Sequence, residues 1–229
     1  MRTAFIAIVG RPNVGKSTLM NHLLGEKVAI VSPKPQTTRN RIAGILTKGE
    51  DQYVFLDTPG VHHAKNKLGE FMMQSAKEAR EGVDAVLAVV DGQHIGAGDK
   101  AILADLAQMN CPKILAVNKI DIVSPEKLMP QLAELNDCRF DQVFSVSARR
   151  GDNVELLLEA LIDCMPEGPK YFPDDMITDQ PERLMCAEII REKALNNLRD
   201  EIPHGVGVEI MRIKKIGKDL TEITADIYC

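Results

Sequence analysis

The stretch from Gly10 to Ser17, GRPNVGKS, constrains the fold of this chain more than any other part of its sequence. It follows a short apolar run, Ala4 to Val9, and opens a segment with helical spacing, Lys16 to Leu24. In the pattern G-x-x-x-x-G-K-[ST], glycines let backbone amides face phosphate groups, and the helix N-terminus adds positive potential. The alternative is a glycine-rich turn that binds nothing. The strand before the motif and the helix after it favour a phosphate site formed by Gly10, Arg11, Pro12, Asn13, Val14, Gly15, Lys16, Ser17 and Thr18.

A second polar stretch, Asp57-Thr58-Pro59-Gly60, directly follows another apolar run, Tyr53 to Leu56. Taken by itself, this stretch is typical of an ordinary turn that follows a strand. After a phosphate loop, the carboxylate of Asp57 is expected to hold Mg²⁺ through water, and the Gly60 amide to face the γ-phosphate. Lys16 is expected to bridge the β- and γ-phosphates and the Ser17 hydroxyl to ligate Mg²⁺.

A third stretch, Asn118-Lys119-Ile120-Asp121, indicates which base the site takes. A carboxylate at Asp121 can accept hydrogen bonds from both the ring N–H and the exocyclic amine of guanine, whereas adenine offers no such donor pair. The Lys119 stem can lie across the base. The small-residue turn Ser147-Ala148 supplies a backbone N–H for the guanine oxygen. Together the motifs predict a site for GTP and GDP.

Short apolar runs alternate with helical patterns up to about residue 165, which predicts an α/β fold with a six-stranded, mostly parallel sheet and helices on both faces. Because ligands of such sheets bind at the carboxyl ends of the strands, the three motifs are expected to meet there. The predicted strands are Ala4 to Val9, Arg41 to Thr47 at the edge, Tyr53 to Leu56, Ala85 to Val90, Ile114 to Val117 and Val143 to Val146. The predicted helices are Lys16 to Leu24, Leu68 to Glu81, Lys100 to Gln108, Pro125 to Leu135 and Val154 to Met165.

Prolines at positions 166, 169 and 173 interrupt the helical pattern and predict a linker. We expect a GTP-binding domain at 1–168, a linker at 169–180 and a smaller domain at 181–229. The smaller domain is predicted to contain a helix from near Pro181 and two strands around Val206 to Ile210 and Ile223 to Ile227, with a turn at Gly217 to Asp219 between the two strands.

Net charge, cysteine spacing and the length of the apolar runs limit the classes to which this protein can belong. Lys and Arg number 28 and Asp and Glu 33, a net charge of −5, which argues against a wholly basic nucleic-acid coat protein. The five cysteines contain no C-x-x-C pair, so reduced, mostly buried thiols in a cytoplasmic protein are expected. No apolar run has the length of a transmembrane segment, and no signal peptide is recognisable. We expect a monomer.

These three motifs and the Ser147-Ala148 turn stand in the order found in translation-factor-class GTPases, which the chain resembles. The stretches Pro33 to Arg39, Phe172 to Asp179 and Glu188 to Lys193 resemble the Era family of bacterial GTPases. The resemblance implies a GTPase followed by a KH-type RNA-binding domain. It implies binding to small-subunit ribosomal RNA, a role in 30S assembly and peripheral association with the inner membrane. It also implies that Thr38 ligates Mg²⁺ in the triphosphate state, with Thr37 as the alternative, since adjacent threonines cannot be separated by spacing.

The sequence departs from the related patterns in two ways. Val61 stands where many switch GTPases have a glutamine that orients the attacking water. Unaided turnover is therefore expected to be slow, unless other groups position the water. In related GTPases the asparagine of the phosphate loop helps to bind K⁺ at the phosphates, and we state this as a hypothesis for Asn13.

The second departure is that residues 166–229 contain no G-x-x-G loop to clamp an RNA backbone. The KH-type domain is therefore expected to be incomplete, with GTP binding retained and sequence-specific RNA binding largely lost.

Alternative interpretations apply to the basic stretch at 27–49, to the histidine pair and to the function. Residues 27–49 carry Lys and Arg but no acid until Glu50, which fits either a solvated loop or an RNA-facing surface. The pair His62-His63 is expected to be solvated. A different class of protein, a nucleotide-regulated module with negligible turnover that acts on membrane or cell-cycle partners, is the alternative function. A P-loop kinase or ATPase would leave Asn118-Lys-Ile-Asp121 unexplained.

Overall fold

The computed structural model describes residues 1–32, 37–60, 82–135, 138–198, 206–218 and 220–228. The strands are β1 (Thr3–Val9), β2 (Ile42–Lys48), β3 (Asp51–Asp57), β4 (Ala85–Asp91), β5 (Lys113–Asn118), β6 (Gln142–Ser145), β7 (Gly207–Lys215) and β8 (Thr221–Tyr228). The helices are α1 (Lys16–Leu24), α2 (Ala97–Leu106), α3 (Pro125–Leu135), α4 (Val154–Asp163) and α5 (Glu182–Asn197), with a 3₁₀ turn at Ile120–Ile122.

The first six strands form one sheet in the order β2-β3-β1-β4-β5-β6. Every pair is parallel except β2 with β3, which is antiparallel and places β2 at the edge. The predicted α/β fold with a six-stranded, mostly parallel sheet is confirmed. Parallel strands need helical crossovers on the faces of the sheet, which is why the strand runs of this chain are almost wholly apolar.

Alternate residues of the central strands serve two separate cores. On β1, Ile6 and Ile8 pack with residues of α1 and α4, whereas Ala7 and Val9 pack with residues of α2 and α3 on the opposite face. All four side chains are fully buried. Since side chains alternate across a strand, one run of consecutive apolar residues supplies both layers.

Helix α2 begins three residues earlier than the sequence pattern predicts. The Asp99 carboxylate accepts a hydrogen bond from the Gly96 amide at 3.0 Å, which closes the first turn at Ala97 rather than at Lys100. Helix α4 ends at Asp163, two residues before the predicted end. The predicted helix Leu68 to Glu81, Val61, and the pair His62-His63 lie outside the described residues.

The chain divides into two compact units, of which the first comprises Met1–Ala29 and Thr38–Asp179. Its last residues run along the sheet edge: the Thr178 hydroxyl donates to the Ala43 carbonyl at 2.7 Å, and the Ile45 amide donates to the Ile177 carbonyl at 2.8 Å. Ile177 and Thr178, within the stretch predicted as a linker, are therefore hydrogen-bonded to β2. The boundary between the units falls between Asp179 and Gln180.

The second unit comprises Ile30–Thr37 and Gln180–Cys229. Strands β7 and β8 pair antiparallel, as the alternating pattern predicts. Buried charges on α5 hold the segment that precedes Thr38: Arg191 donates to the Thr37 carbonyl at 2.5 Å, and Glu192 accepts from the Val31 amide at 2.9 Å. This short piece of the N-terminal half therefore packs with the C-terminal helix.

Two further expectations concern the cysteines and membrane-spanning segments. The cysteines at 111, 138, 164 and 186 are free thiols, in line with the expected reduced state, although each is partly exposed. Within the described ranges, no helix combines the length and the apolar character needed to cross a bilayer.

Candidate nucleotide-binding site

The loop between β1 and α1 has a backbone that only certain residues can adopt. Gly15 has φ 100° and Asn13 φ 64°, both in the left-handed region. A Cβ at Gly10 would lie 2.2 Å from the Val89 carbonyl oxygen, and one at Gly15 would lie 2.2 Å from Nδ2 of Asn118. Gly10 is therefore required by the close approach of the β4 backbone, and Gly15 both by the close approach of Asn118 and by its left-handed conformation.

Lys16, the first residue of α1, is buried with its ammonium turned back into this loop. Its Nζ donates to the carbonyl oxygens of Gly10 at 3.2 Å and Arg11 at 3.0 Å. Burial lowers the pKa of Lys16, and the nearby Asp57 carboxylate opposes that shift. The loop thus encloses a cation whose donors can be transferred to phosphate oxygens.

Three oxygen-bearing side chains meet beside that lysine. The Ser17 hydroxyl lies 2.6 Å from Oδ2 of Asp57 and 3.0 Å from the hydroxyl of Thr38. Oδ1 of Asp57 is buried and has no hydrogen-bond partner among the described residues. Burial raises the pKa of Asp57, while Lys16 and the Ser17 hydroxyl act in the opposite direction.

Such a group of hydroxyl and carboxylate oxygens, with one acceptor atom left over, fits a hard divalent cation such as Mg²⁺. The Thr38 hydroxyl is the one placed next to Ser17, and the carbonyl of Thr37 is bound by Arg191. The geometry therefore favours Thr38 over Thr37. The described ranges contain no cluster of three or more His, Cys, Asp or Glu side chains that could hold a metal.

The turn after β3 is held in place from two sides. The Thr58 hydroxyl donates to the Ile8 carbonyl at 2.8 Å, which ties this turn to the end of β1. A Cβ at Gly60 would lie 2.5 Å from the backbone nitrogen of Pro12. Gly60 is thus packed directly against the phosphate loop, where its amide can face a bound phosphate.

Asn118, the last residue of β5, connects three loops. Its Nδ2 donates to the Val14 carbonyl at 2.8 Å, and its Oδ1 accepts from the Ala148 amide at 2.9 Å. Asp121, three residues after Asn118 in the chain, accepts a hydrogen bond from the Ser147 hydroxyl at 2.8 Å. The residues predicted to read guanine are therefore brought together with the phosphate loop.

Two acidic residues of the site were missed by reading the sequence. Asp99 of α2 pairs with Arg11 at 3.4 Å, and Asp91 at the end of β4 pairs with Lys119 at 2.6 Å. A usable signal existed for Asp91, because it follows a buried strand in the same way as Asp57. No local signal pointed to Asp99, whose partner lies 88 residues away.

The basic stretch at 27–49 is partly engaged within the protein. Lys48 forms an exposed ion pair with Glu155 at 2.7 Å. Lys34 lies outside the described residues. The RNA-facing interpretation of this stretch remains a prediction.

Comparisons of the sequence match this arrangement to known GTPases. A family model described as 50S ribosome-binding GTPase matches residues 5–119. GTPase Era of Clostridioides difficile is 51% identical over 232 residues, which cover all of this chain and 78% of that protein. GTPase Era of a Clostridium botulinum strain is 48% identical over 230 residues, with the same coverage.

Comparisons of the structure agree. The crystal structure of Era in complex with MgGDPNP and nucleotides 1506–1542 of 16S ribosomal RNA has a TM-score of 0.93 at 39% identity, covering 99% of this chain and 78% of that one. A variant of Aquifex aeolicus Era bound to GDP and AlF4⁻ has a TM-score of 0.91 at 39% identity, covering 99% of this chain and 79% of that one.

Proposed function

The chain belongs to the Era family of GTPases, and from this membership we propose that it is a GTP–GDP switch acting on small-subunit ribosomal RNA. Its enzymatic activity is hydrolysis of GTP to GDP and phosphate. The observation that carries the proposal is the meeting of Ser17, Thr38 and Asp57 beside the buried ammonium of Lys16.

In this proposal the phosphate loop binds the triphosphate through backbone amides and Lys16. The ammonium exchanges its bonds to the Gly10 and Arg11 carbonyls for bonds to phosphate oxygens, so a preformed site replaces one set of acceptors with another. Mg²⁺ held by Ser17, Thr38 and Asp57 would neutralise charge on the phosphates when bound. MgGDPNP and GDP are the ligands of the solved relatives.

Guanine selectivity is assigned to Asp121, with Lys119, Asn118 and the Ser147-Ala148 turn as its surroundings. The Ser147 hydroxyl donates to Oδ1 of Asp121, which fixes the plane of the carboxylate. A fixed carboxylate can accept from the two adjacent donors of guanine. The same carboxylate facing adenine would lose those donors and remain desolvated, which disfavours ATP.

GTP turnover tests the proposal. We expect slow hydrolysis by the chain alone and faster hydrolysis with 30S subunits, and we expect excess GTP, but not ATP, to displace a fluorescent guanine nucleotide. Negligible turnover under both conditions would contradict the proposal and support the nucleotide-regulated binding module instead. Displacement by ATP would contradict the assignment of Asp121.

A potassium ion bound with the help of Asn13 is proposed to do the work of an arginine finger at the phosphates. Asn13 has a left-handed backbone, φ 64°, and lies within the loop expected to bind the phosphates. Turnover in K⁺ should exceed turnover in Na⁺ at equal ionic strength. Equal rates in the two salts would eliminate this role for Asn13.

The RNA partner is proposed from the solved relative that contains nucleotides of 16S ribosomal RNA. Because residues 166–229 lack a G-x-x-G loop, we expect this chain to bind a 16S 3′-end oligonucleotide weakly. Nanomolar affinity would contradict that expectation. Cytoplasmic location with peripheral association to the inner membrane stays a prediction, which cell fractionation would test.

A further inference from the structure

Three strands of the sheet end in a residue with a carboxylate or amide side chain at the same edge. Asp57 ends β3 and Asn118 ends β5, and both belong to the site described above. Asp91 ends β4 and lies opposite Asn118 in the parallel register. None of the roles derived so far uses Asp91.

The carboxylate of Asp91 is directed by two contacts. Oδ1 accepts a hydrogen bond from the Gln93 amide at 2.9 Å, and Oδ2 contacts Nζ of Lys119 at 2.6 Å. About a quarter of each side chain in the pair is exposed. The Asp91 carboxylate is therefore fixed by its own turn and can act as an anchor for the ammonium.

The backbone around the pair is equally constrained. Lys119 has φ 69°, in the left-handed region that lysine rarely adopts. The Gly92 amide donates to the Asn118 carbonyl at 2.8 Å, and a Cβ at Gly92 would lie 2.9 Å from that oxygen. The turns after β4 and β5 are thus locked together, so both ends of the Lys119 side chain are held.

We propose that Asp91 is a positioning residue for guanine recognition, which acts by holding the Lys119 side chain along the face of the base. The proposal rests on the guanine site proposed above. A lysine stem without an anchor samples many rotamers and turns its ammonium towards water. With the ammonium paired to Asp91, the stem is ordered before the nucleotide arrives, and less rotamer freedom is lost on binding.

Dissociation of N-methylanthraniloyl-GDP, followed by stopped-flow fluorescence, tests this role. Asp91→Asn keeps an oxygen for the Gln93 amide but removes the charge. We expect dissociation to accelerate about fivefold, the scale of a partly exposed ion pair, with GDP and a GTP analogue affected equally. Because the pair is also formed without nucleotide, the melting temperature of the nucleotide-free protein should decrease only slightly, as expected for the loss of one partly exposed ion pair.

A double-mutant cycle separates positioning from a general structural effect. Lys119→Met keeps an apolar stem and removes the ammonium, so Asp91→Asn should have no additional effect in that background. Glu134→Gln, which breaks the exposed pair with Lys100 at 2.7 Å, is the matched control and should leave the rate unchanged.

The possible outcomes distinguish failure of the proposed function from failure of the role proposed for Asp91. If the unaltered chain does not bind the fluorescent nucleotide, the proposed function fails. If it binds, but Asp91→Asn has no effect or the same effect with and without Lys119, the role of Asp91 is overturned.

Discussion

The side-chain amide of Asn118 donates to the carbonyl oxygen of Val14 at 2.8 Å, across 104 residues of sequence. The same amide group accepts from Ala148, 30 residues further on. A buried asparagine thus joins the loop proposed to bind phosphate to the turn proposed to face the base. Because one side chain supports both halves of the site, their positions are coupled.

Replacing Asn118 by alanine should weaken GTP and GDP binding together. The Val14 carbonyl and the Ala148 amide would lose their partner in a buried environment, which costs about 2 kcal/mol in the free energy of unfolding. Chemical denaturation and nucleotide titration would measure the two effects. Unchanged stability with reduced affinity would contradict the structural part of this role.

Asp121→Asn should change the base preference of the site. An amide presents a donor where the carboxylate presented an acceptor, so GTP affinity should fall by a factor on the order of 10³. Xanthosine triphosphate, whose base carries an oxygen in place of the amine, should bind better than GTP. Competition titrations with the two nucleotides would check this, and retained preference for GTP would contradict the role of Asp121.

Alanine at Thr38 and alanine at Thr37 should have different consequences. Thr38 places its hydroxyl 3.0 Å from Ser17, whereas Thr37 contributes a backbone carbonyl that alanine retains. Thr38→Ala should weaken Mg²⁺-dependent binding of a GTP analogue about tenfold or more, on the scale of one contact to a charged group. Titration with and without Mg²⁺ would measure this. A larger effect from Thr37→Ala would reverse the assignment.

Tyr53→Phe should leave the fold intact and stabilise it slightly, by up to about 1 kcal/mol. The Tyr53 hydroxyl is buried and has no hydrogen-bond partner among the described residues, so removing it removes an unsatisfied group. Burial raises the pKa of Tyr53 to about 12, above the ordinary 10.

The raised pKa of Tyr53 gives a pH signature. Between pH 10 and 12 the unfolded chain loses the tyrosine proton and the folded chain keeps it, so stability decreases as pH rises through that range. Over that pH range the melting temperature should decrease less steeply in Tyr53→Phe than in the unaltered protein. Parallel slopes in the two proteins would show that Tyr53 titrates normally.

Arg191→Gln should destabilise the second unit by about 2 kcal/mol. Arg191 is buried, pairs with Glu188 and donates to the Thr37 carbonyl, so its loss leaves acceptors without a donor. Lys193→Gln, at an exposed position of the same helix, is the control. Equal denaturation midpoints for both variants would contradict the anchoring role of Arg191.

Much of the fold and most of the site followed from local patterns. Apolar runs of strand length separated by helical spacing fix a parallel sheet, because only crossover helices can connect parallel strands. The sequences from Gly10 to Ser17 and from Asn118 to Asp121 carry their chemistry within a few consecutive residues. Such motifs can be recognised before their three-dimensional arrangement is known.

Tertiary structure decided what depends on distant partners. Thr38 is distinguished from Thr37 by its approach to Ser17, and Asp91 gains a role because β4 lies beside β5. The segment Ile30–Thr37 joins the C-terminal unit through Arg191 and Glu192. These relationships join residues far apart in the chain, and spacing alone cannot reveal them, because side-chain direction and strand order are set only when the sheet and its helices pack.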